Sequence, residues 1–222
     1  MRNLFEKLKT LIPFSYANIL LRSINKKGIG DILDVGCGSS PPFSILKSSI
    51  APLRSVGVDV SLNDLKKLRI MRIYNSVILA DARFLPFKYK SFDVILCSFL
   101  IEHLHKGEGI NLIKDFLRIC RRRIIIVTNN GPFFRTALKR AIDLGNPLLI
   151  HKSAWRASAF RYLNFEIKGH GSLAVYGDAG IIETINSRIL RIIIQVISYF
   201  FEPLFYFFPD KFSFCLICIK DL

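Results

Sequence analysis

Three aspartates, Asp34, Asp59 and Asp81, each stand where a short apolar run stops, and Gly36 and Gly38 follow the first of them. Without side chains at Gly36 and Gly38, a ligand can approach the backbone of Gly36-Cys37-Gly38, and its amides and the next helix N-terminus are left free for that ligand. A carboxylate at Asp59, with Val60 beside it, can accept from both hydroxyls of a ribose, each charge-assisted bond being worth about 1.5–3 kcal/mol. Asp81 can accept from an exocyclic adenine amine while the Ala82 amide reaches a ring nitrogen. Asp34, next to the glycine loop, suits a cationic cofactor better than a diphosphate. Together these groups describe a socket for an adenosine that carries positive charge.

The elements that would position them follow from hydrophobic patterning. Asp31–Val35 reads as a buried strand running into the glycine loop and a helix opened by Pro41 or Pro42. Further strands are predicted at 55–59, 76–80, 92–97, 123–128, 165–169 and 212–220, with helices at 4–12, 15–26, 63–70, 108–118 and 155–163. Strands alternating with helices argue for an α/β, doubly wound, mostly parallel sheet. Such sheets bind ligands beyond the carboxyl ends of their strands, which is where the three aspartates and Ser98 fall. A nicotinamide dinucleotide would also use glycines after strand one and an acid after strand two. Its G-x-G-x-x-G fingerprint requires glycine at position 41, however, where this chain has Pro41, and it has no duty for Asp81.

Four runs in order, Ile32-Leu-Asp-Val-Gly-Cys-Gly38, Val56-Gly-Val-Asp59, Asp81-Ala-Arg-Phe-Leu-Pro-Phe87 and Ser91-Phe-Asp-Val-Ile-Leu-Cys-Ser-Phe-Leu-Ile-Glu-His103, resemble the successive motifs of class I S-adenosylmethionine-dependent methyltransferases, in particular the ubiquinone/menaquinone-biosynthesis-like group. The resemblance covers about residues 30 to 130, and departs from the motif at Ser40, where many members have a third glycine. It implies a Rossmann-like sheet of seven strands with the last antiparallel. It further implies S-adenosylmethionine held by Asp34, Gly36, Cys37, Gly38, Asp59, Val60, Asp81, Ala82 and Ser98. Methyl transfer from a sulfonium is an in-line displacement with a neutral leaving group, so alignment and desolvation carry most of the catalysis. Amine-methylating relatives often have an Asn-Pro-Pro-Tyr-like run after strand four; Cys97-Ser-Phe-Leu here argues against that chemistry.

His103 follows strand four and is a candidate general base, or a residue that packs on the cofactor loop. Glu102, His151 and Trp155 are candidates for the acceptor side, the last two within a His-x-Ser-x-Trp run that is similar to one in some of these enzymes. No metal site is expected, since His105 could join His103 on a metal only from a strand. Cys215-x-x-Cys218 lies in a strand-like run and is expected to pack in the core, and five cysteines without an even framework fit a reducing, cytoplasmic compartment.

The 222 residues suit one domain: a helical cap at 1–27, the cofactor core at 28–180, an apolar helical insertion at 181–210 and the last strand at 211–222. With 32 basic against 17 acidic residues, the net charge of +15 would attract polyanions, whether nucleic acid or an anionic membrane. In the insertion, Ser187, Arg188, Arg191, Gln195, Ser198 and Glu202 draw one polar stripe down an otherwise apolar helix. Such a face serves as extra core, as a self-association surface over 181–208, or as a cap that lies on a membrane and admits a lipid-like acceptor. The expected activity is methyl transfer to a small or lipid-like molecule. The alternatives are RNA methylation, which the charge supports without favouring, and a non-catalytic cofactor-binding scaffold.

Overall fold

The computed structural model describes residues 11–24, 30–39, 41–47, 49–50, 52–177 and 180–222. Most of the predicted helix at 4–12, and Ser40, lie outside the described residues. Seven strands form one sheet: β1 (Asp31–Val35), β2 (Arg54–Asp59), β3 (Ser76–Leu79), β4 (Phe92–Ser98), β5 (Cys120–Asn129), β6 (Glu166–Ser172) and β7 (Ser213–Asp221). Their order is β3-β2-β1-β4-β5-β7-β6. The sheet is mostly parallel with β7 antiparallel, so the expected Rossmann-like α/β class holds. Strand β1 pairs in parallel with β2 on one side and β4 on the other, which sets Asp34 level with Gly57 and Leu96.

The chain divides into two compact units. The first comprises Met1–Leu100, Gly107–Ile126 and Ile219–Leu222. Its helices are α1 (Tyr16–Ile24), α2 (Phe43–Leu46), α3 (Leu62–Ile70) and α4, which starts at Lys106 and ends at Ile119. Apolar runs of β-branched residues, Val56, Val58, Val94, Ile95, Ile124, Ile125 and Ile126, are all buried, as a strand covered on both faces requires. Ser61 caps α3 by accepting from the Asp64 amide at 3.3 Å. Buried Arg123 bridges the Asp221 carboxylate, at 2.6 and 2.9 Å, and the Ser23 carbonyl of α1, fixing the end of the last strand.

The second unit comprises Ile101–Lys106 and Val127–Cys218. After a 3-10 turn at Ile101–His103 and the end of β5 it contains α5 (Phe134–Asp143), α6 (Ala157–Tyr162), α7 (Leu173–Tyr176), α8 (Ile181–Thr184), α9 (Arg188–Phe200), α10 (Glu202–Phe207) and α11 (Pro209–Phe212). Its core is aromatic: Trp155, Phe160 and Phe165 pack with ring centroids 5.2 and 5.7 Å apart. Cys215 and Cys218 are both buried thiols. Helix α5 lies where no element was expected, and the helix expected from Trp155 starts only at Ala157, because Trp155 bridges Gly131 in antiparallel fashion. The insertion is not one helix. It breaks at Phe201, where Pro203 near the start of α10 has no amide to continue the ladder. Among the described residues, no helix is long and apolar enough to cross a membrane.

Candidate cofactor site and a second polar cluster

Beyond the carboxyl ends of β1, β2 and β4 the first unit gathers Asp34, Gly36, Gly38, Asp59 and Ser98. Gly36 and Gly38 both adopt left-handed backbone, φ 73° and 53°, which a side chain at either would strain. A Cβ at Gly36 would also stand 2.8 Å from a Leu100 carbon, whereas at Gly38 it would meet only open space. The backbone is bare as expected, but its amides are not free. Those of Gly36 and Cys37 donate to the Val58 carbonyl at 2.8 and 3.0 Å, and that of Gly38 donates to Asp59 Oδ2 at 2.7 Å. The turn is thereby stapled to the end of β2. Cys37 points its thiol inward beside Gly57 and Tyr74, so only its backbone can border a ligand.

Asp34 is fully buried. The Tyr74 hydroxyl donates to its Oδ2 at 2.5 Å, while Oδ1 meets no partner among the described residues. Burial pushes its carboxyl from 3.8 up to about 7; the Tyr74 hydrogen bond offsets part of that rise and the nearby Asp59 charge adds to it. Ser98 Oγ, at the tip of β4, is likewise buried and without a partner. The next residue, Phe99, sits at φ 52°, an uncommon conformation for an aromatic side chain. A buried unpaired acceptor and a buried unpaired hydroxyl each cost about 1–3 kcal/mol, and both are what an ammonium-bearing ligand would satisfy. The donor set therefore fits the amino-acid end of S-adenosylmethionine.

Asp59 uses Oδ2 for the Gly38 amide and Oδ1 for the Ser61 amide, at 2.8 Å. Each oxygen keeps a second lone pair, so a ribose diol can still be accepted. Val60, just beyond, is exposed. Asp81 departs further from expectation. Its carboxylate is engaged by Arg83, with Nη2 at 2.6 Å and Nε at 3.0 and 3.1 Å from its oxygens, and Arg83 also reaches Glu108 at 3.0 Å. An adenine amine would share this carboxylate with the guanidinium. Ala82, half-buried, follows it in the same turn.

Glu102, His103, His151 and Trp155 all belong to the second unit. Trp155 is buried in the core of this unit. Its indole donates to Ser153 Oγ at 2.9 Å and the Ile101 carbonyl at 3.3 Å, and the Lys106 ammonium lies 3.3 Å from the ring centroid. Glu102 is buried, accepts from Thr128 Oγ1 at 3.0 Å, and leaves Oε1 without a partner. Burial pushes its carboxyl up to about 7 against the pull of backbone amides and the Thr128 hydroxyl. His103 and His151 meet edge to face, centroids 4.9 Å apart. His103, the candidate general base, lies with Glu102 and His151. Tyr74 and Thr128, which hold the two buried carboxylates, carry no sequence signal of their own.

Residues 33–127 match the family model described as a methyltransferase domain. Two uncharacterized proteins of Methanocaldococcus jannaschii are similar, at 29% identity over 55% of this chain and 51% of theirs, and at 38% identity over 46% of this chain and 40% of theirs. The chain thus spans about half the length of the curated relatives it matches. Among solved structures, a SAM-dependent methyltransferase from Archaeoglobus fulgidus superposes with a TM-score of 0.59 at 20% identity, covering 99% of this chain and 98% of that one. Over residues 33–127 the chain is thus similar to methyltransferase domains, and its fold is that of the S-adenosylmethionine-dependent methyltransferase structure on which it superposes.

Proposed function

We propose that the chain transfers a methyl group from S-adenosylmethionine to a small or lipid-like acceptor. The observation that carries this reading is the pair of buried, unpartnered oxygens, Asp34 Oδ1 and Ser98 Oγ, beside a glycine turn stapled to Asp59. When bound, the cofactor supplies an electrophilic methyl on sulfur. Asp34 would take the ammonium, Asp59 the ribose, and Val60, Asp81 and Ala82 the adenine. Gly38 leaves the approach clear, since nothing within 4 Å opposes even a Cβ there. The resemblance to the ubiquinone/menaquinone-biosynthesis-like group supports a small acceptor over a macromolecular one. Calorimetric titration with S-adenosylhomocysteine tests the reading, followed by transfer of labelled methyl to a panel of small, lipid and RNA acceptors. Asp59→Ala is expected to weaken binding about 10- to 100-fold, through the diol contact and the loosened Gly38 turn. Absence of binding by the unaltered protein ends the proposal.

The lipid-like arm is favoured by helix α9, which is exposed along most of its length. Its polar Ser198 is buried, and so is Glu202 at the start of α10, where it accepts from the Gly171 amide at 3.2 Å. The apolar Ile189, Ile193, Val196 and Phe200 face outward, Phe200 being 77% exposed. Contiguous apolar surface of this kind marks an interaction site. With Arg188 and Arg191 on the same helix and a basic chain overall, an anionic lipid surface suits it. Flotation with anionic vesicles should recover the protein, and Ile193→Asp/Phe200→Asp should abolish recovery. Equal behaviour of the two, or a dimer that dissociates in the variant, would overturn this arm.

A further inference from the structure

The cluster in the second unit has a composition that methyl transfer does not require. A carboxylate oxygen of Glu102 and one ring nitrogen each of His103 and His151 all lie within 4.8 Å of one another. We propose that these three side chains form a binding site for a divalent transition-metal ion of the Zn2+ type.

Two imidazoles and one carboxylate are a borderline donor set, which binds first-row transition metals and discriminates against Mg2+. Three protein ligands leave at least one coordination position for water or another oxygen ligand. Bonds of about 2.0–2.1 Å to a tetrahedral ion put ligand atoms about 3.3 Å apart. The trio therefore needs to draw in by at most ~1.5 Å, which side-chain rotation supplies.

The surroundings supply what ligating residues need from their neighbours. Thr128 Oγ1 holds one Glu102 oxygen at 3.0 Å, while the buried Oε1 has no partner among the described residues. A buried acceptor left in that state is costly unless a cation or donor meets it. His103 Nδ1 lies 3.2 Å from the Ile150 carbonyl. A carbonyl can only accept, so this contact puts the proton on Nδ1 and the lone pair on Nε2, the arrangement usual for metal-bound imidazoles. The two segments that carry the ligands are also cross-linked. The amides of Lys152 and Ser153 donate to the Glu102 carbonyl at 2.8 and 3.1 Å, and both Ser153 Oγ and the Trp155 indole reach the Ile101 carbonyl at 3.3 Å. His151 is thus tied next to residues 101–103 by backbone, which limits the loss of loop entropy on binding.

The test is calorimetric titration of tag-free, chelator-treated full chain with ZnCl2 and, separately, MgCl2, together with the visible absorption of the Co2+-loaded protein. One Zn2+ per chain at micromolar affinity or tighter is expected, with no response to Mg2+ and a d–d spectrum of low coordination number. His151→Ala, on a half-buried loop position, should weaken Zn2+ binding at least ~10-fold, and Glu102→Gln, which keeps the Thr128 contact, by a similar factor. A thermal melt checks that both variants are folded. Zn2+ bound below half an equivalent, or equally well by the unaltered chain and both folded variants, overturns the site. The readout is metal binding alone, so its failure leaves the proposed methyl transfer untouched, and failure of cofactor binding leaves the metal site untouched.

Discussion

The two ends of the parallel strands in the first unit both carry aspartates, and treat them in opposite ways. At the amino ends, Asp93 accepts the Gly30 and Asp31 amides at 3.0 and 2.8 Å and pairs with Arg121 at 2.9 Å, while Asp31 pairs with Arg54 and Arg121 at 3.1 and 3.2 Å. Burial alone would raise the Asp93 carboxyl, yet Arg121 and those amides hold it below the usual carboxylate range. At the carboxyl ends, Asp81 is paired by Arg83 at 2.6 Å, but among the described residues Asp34 and Asp59 hydrogen-bond only a tyrosine hydroxyl and backbone amides. The amino-end carboxylates are neutralised by arginines of the fold, whereas Asp34 and Asp59 are not.

The sharpest way to break that contrast is Asp34→Asn, which keeps an acceptor for the Tyr74 hydroxyl and removes the charge. An acid raised from 3.8 to about 7 loses stability as pH rises. Between those values the unfolded chain has released the proton that the folded chain still holds, so unfolding becomes easier across that window, by up to about 4 kcal/mol for a shift of that size. The asparagine variant should lack this slope and be more stable than the parent at pH 8 in thermal or denaturant melts. Its affinity for S-adenosylhomocysteine should fall about 100-fold at the same pH. In the parent, affinity should climb by up to about tenfold between pH 6 and pH 8, as Asp34 ionises to meet the ammonium. A variant that loses both stability and affinity would make Asp34 an ordinary structural carboxylate.

Asp93→Ala probes the other edge and should invert the result. It leaves two backbone amides without their acceptor and Arg121 with Asp31 as its remaining carboxylate partner, so a loss of about 1–3 kcal/mol of stability is expected, read from denaturant midpoints at constant slope. Cofactor affinity of the folded variant should stay within about twofold, because the lost contacts lie at the strand ends away from Asp34. A large drop in affinity without loss of stability would erase the distinction between the two edges.

How much of this was legible in the sequence divides along the same lines as the two units. In the first, core strands are unbroken β-branched runs and the glycine turn is a local signature, so β1, its loop, Asp59 and Ser98 were readable from short windows. The partners of Asp34 were not, because Tyr74 lies 40 residues away and no periodicity links the two. In the second unit the pattern misleads. Helix α5 buries Ala137 and Ala141 and exposes Leu138 and Ile142, and α9 buries Ser198 and exposes isoleucines. Hydrophobic periodicity assumes that apolar faces point inward, so it indicated neither α5 nor the way the polar stripe of the insertion divides, with Arg188, Arg191 and Gln195 exposed and Ser198 and Glu202 buried. The Glu102–His103–His151 cluster was invisible for a different reason. Its two halves meet only through the long connection closed by the bonds from Lys152 and Ser153 to Glu102.

The smallest expected effect is the most discriminating, since it concerns a group with no partner to lose. Ser98→Ala removes a buried hydroxyl that hydrogen-bonds nothing among the described residues. If the hydroxyl were part of the fold, its removal would destabilise. Because it is stranded, replacement by a methyl-sized side chain should leave stability unchanged or raise it by up to about 1 kcal/mol. Affinity for S-adenosylhomocysteine should nonetheless fall about three- to tenfold, the worth of one hydrogen bond made only to the ligand. Opposite signs on stability and affinity, at a residue whose backbone ends β4, are what separate a group held in reserve for a ligand from a packing defect; a fall in stability with affinity unchanged would assign Ser98 to the core.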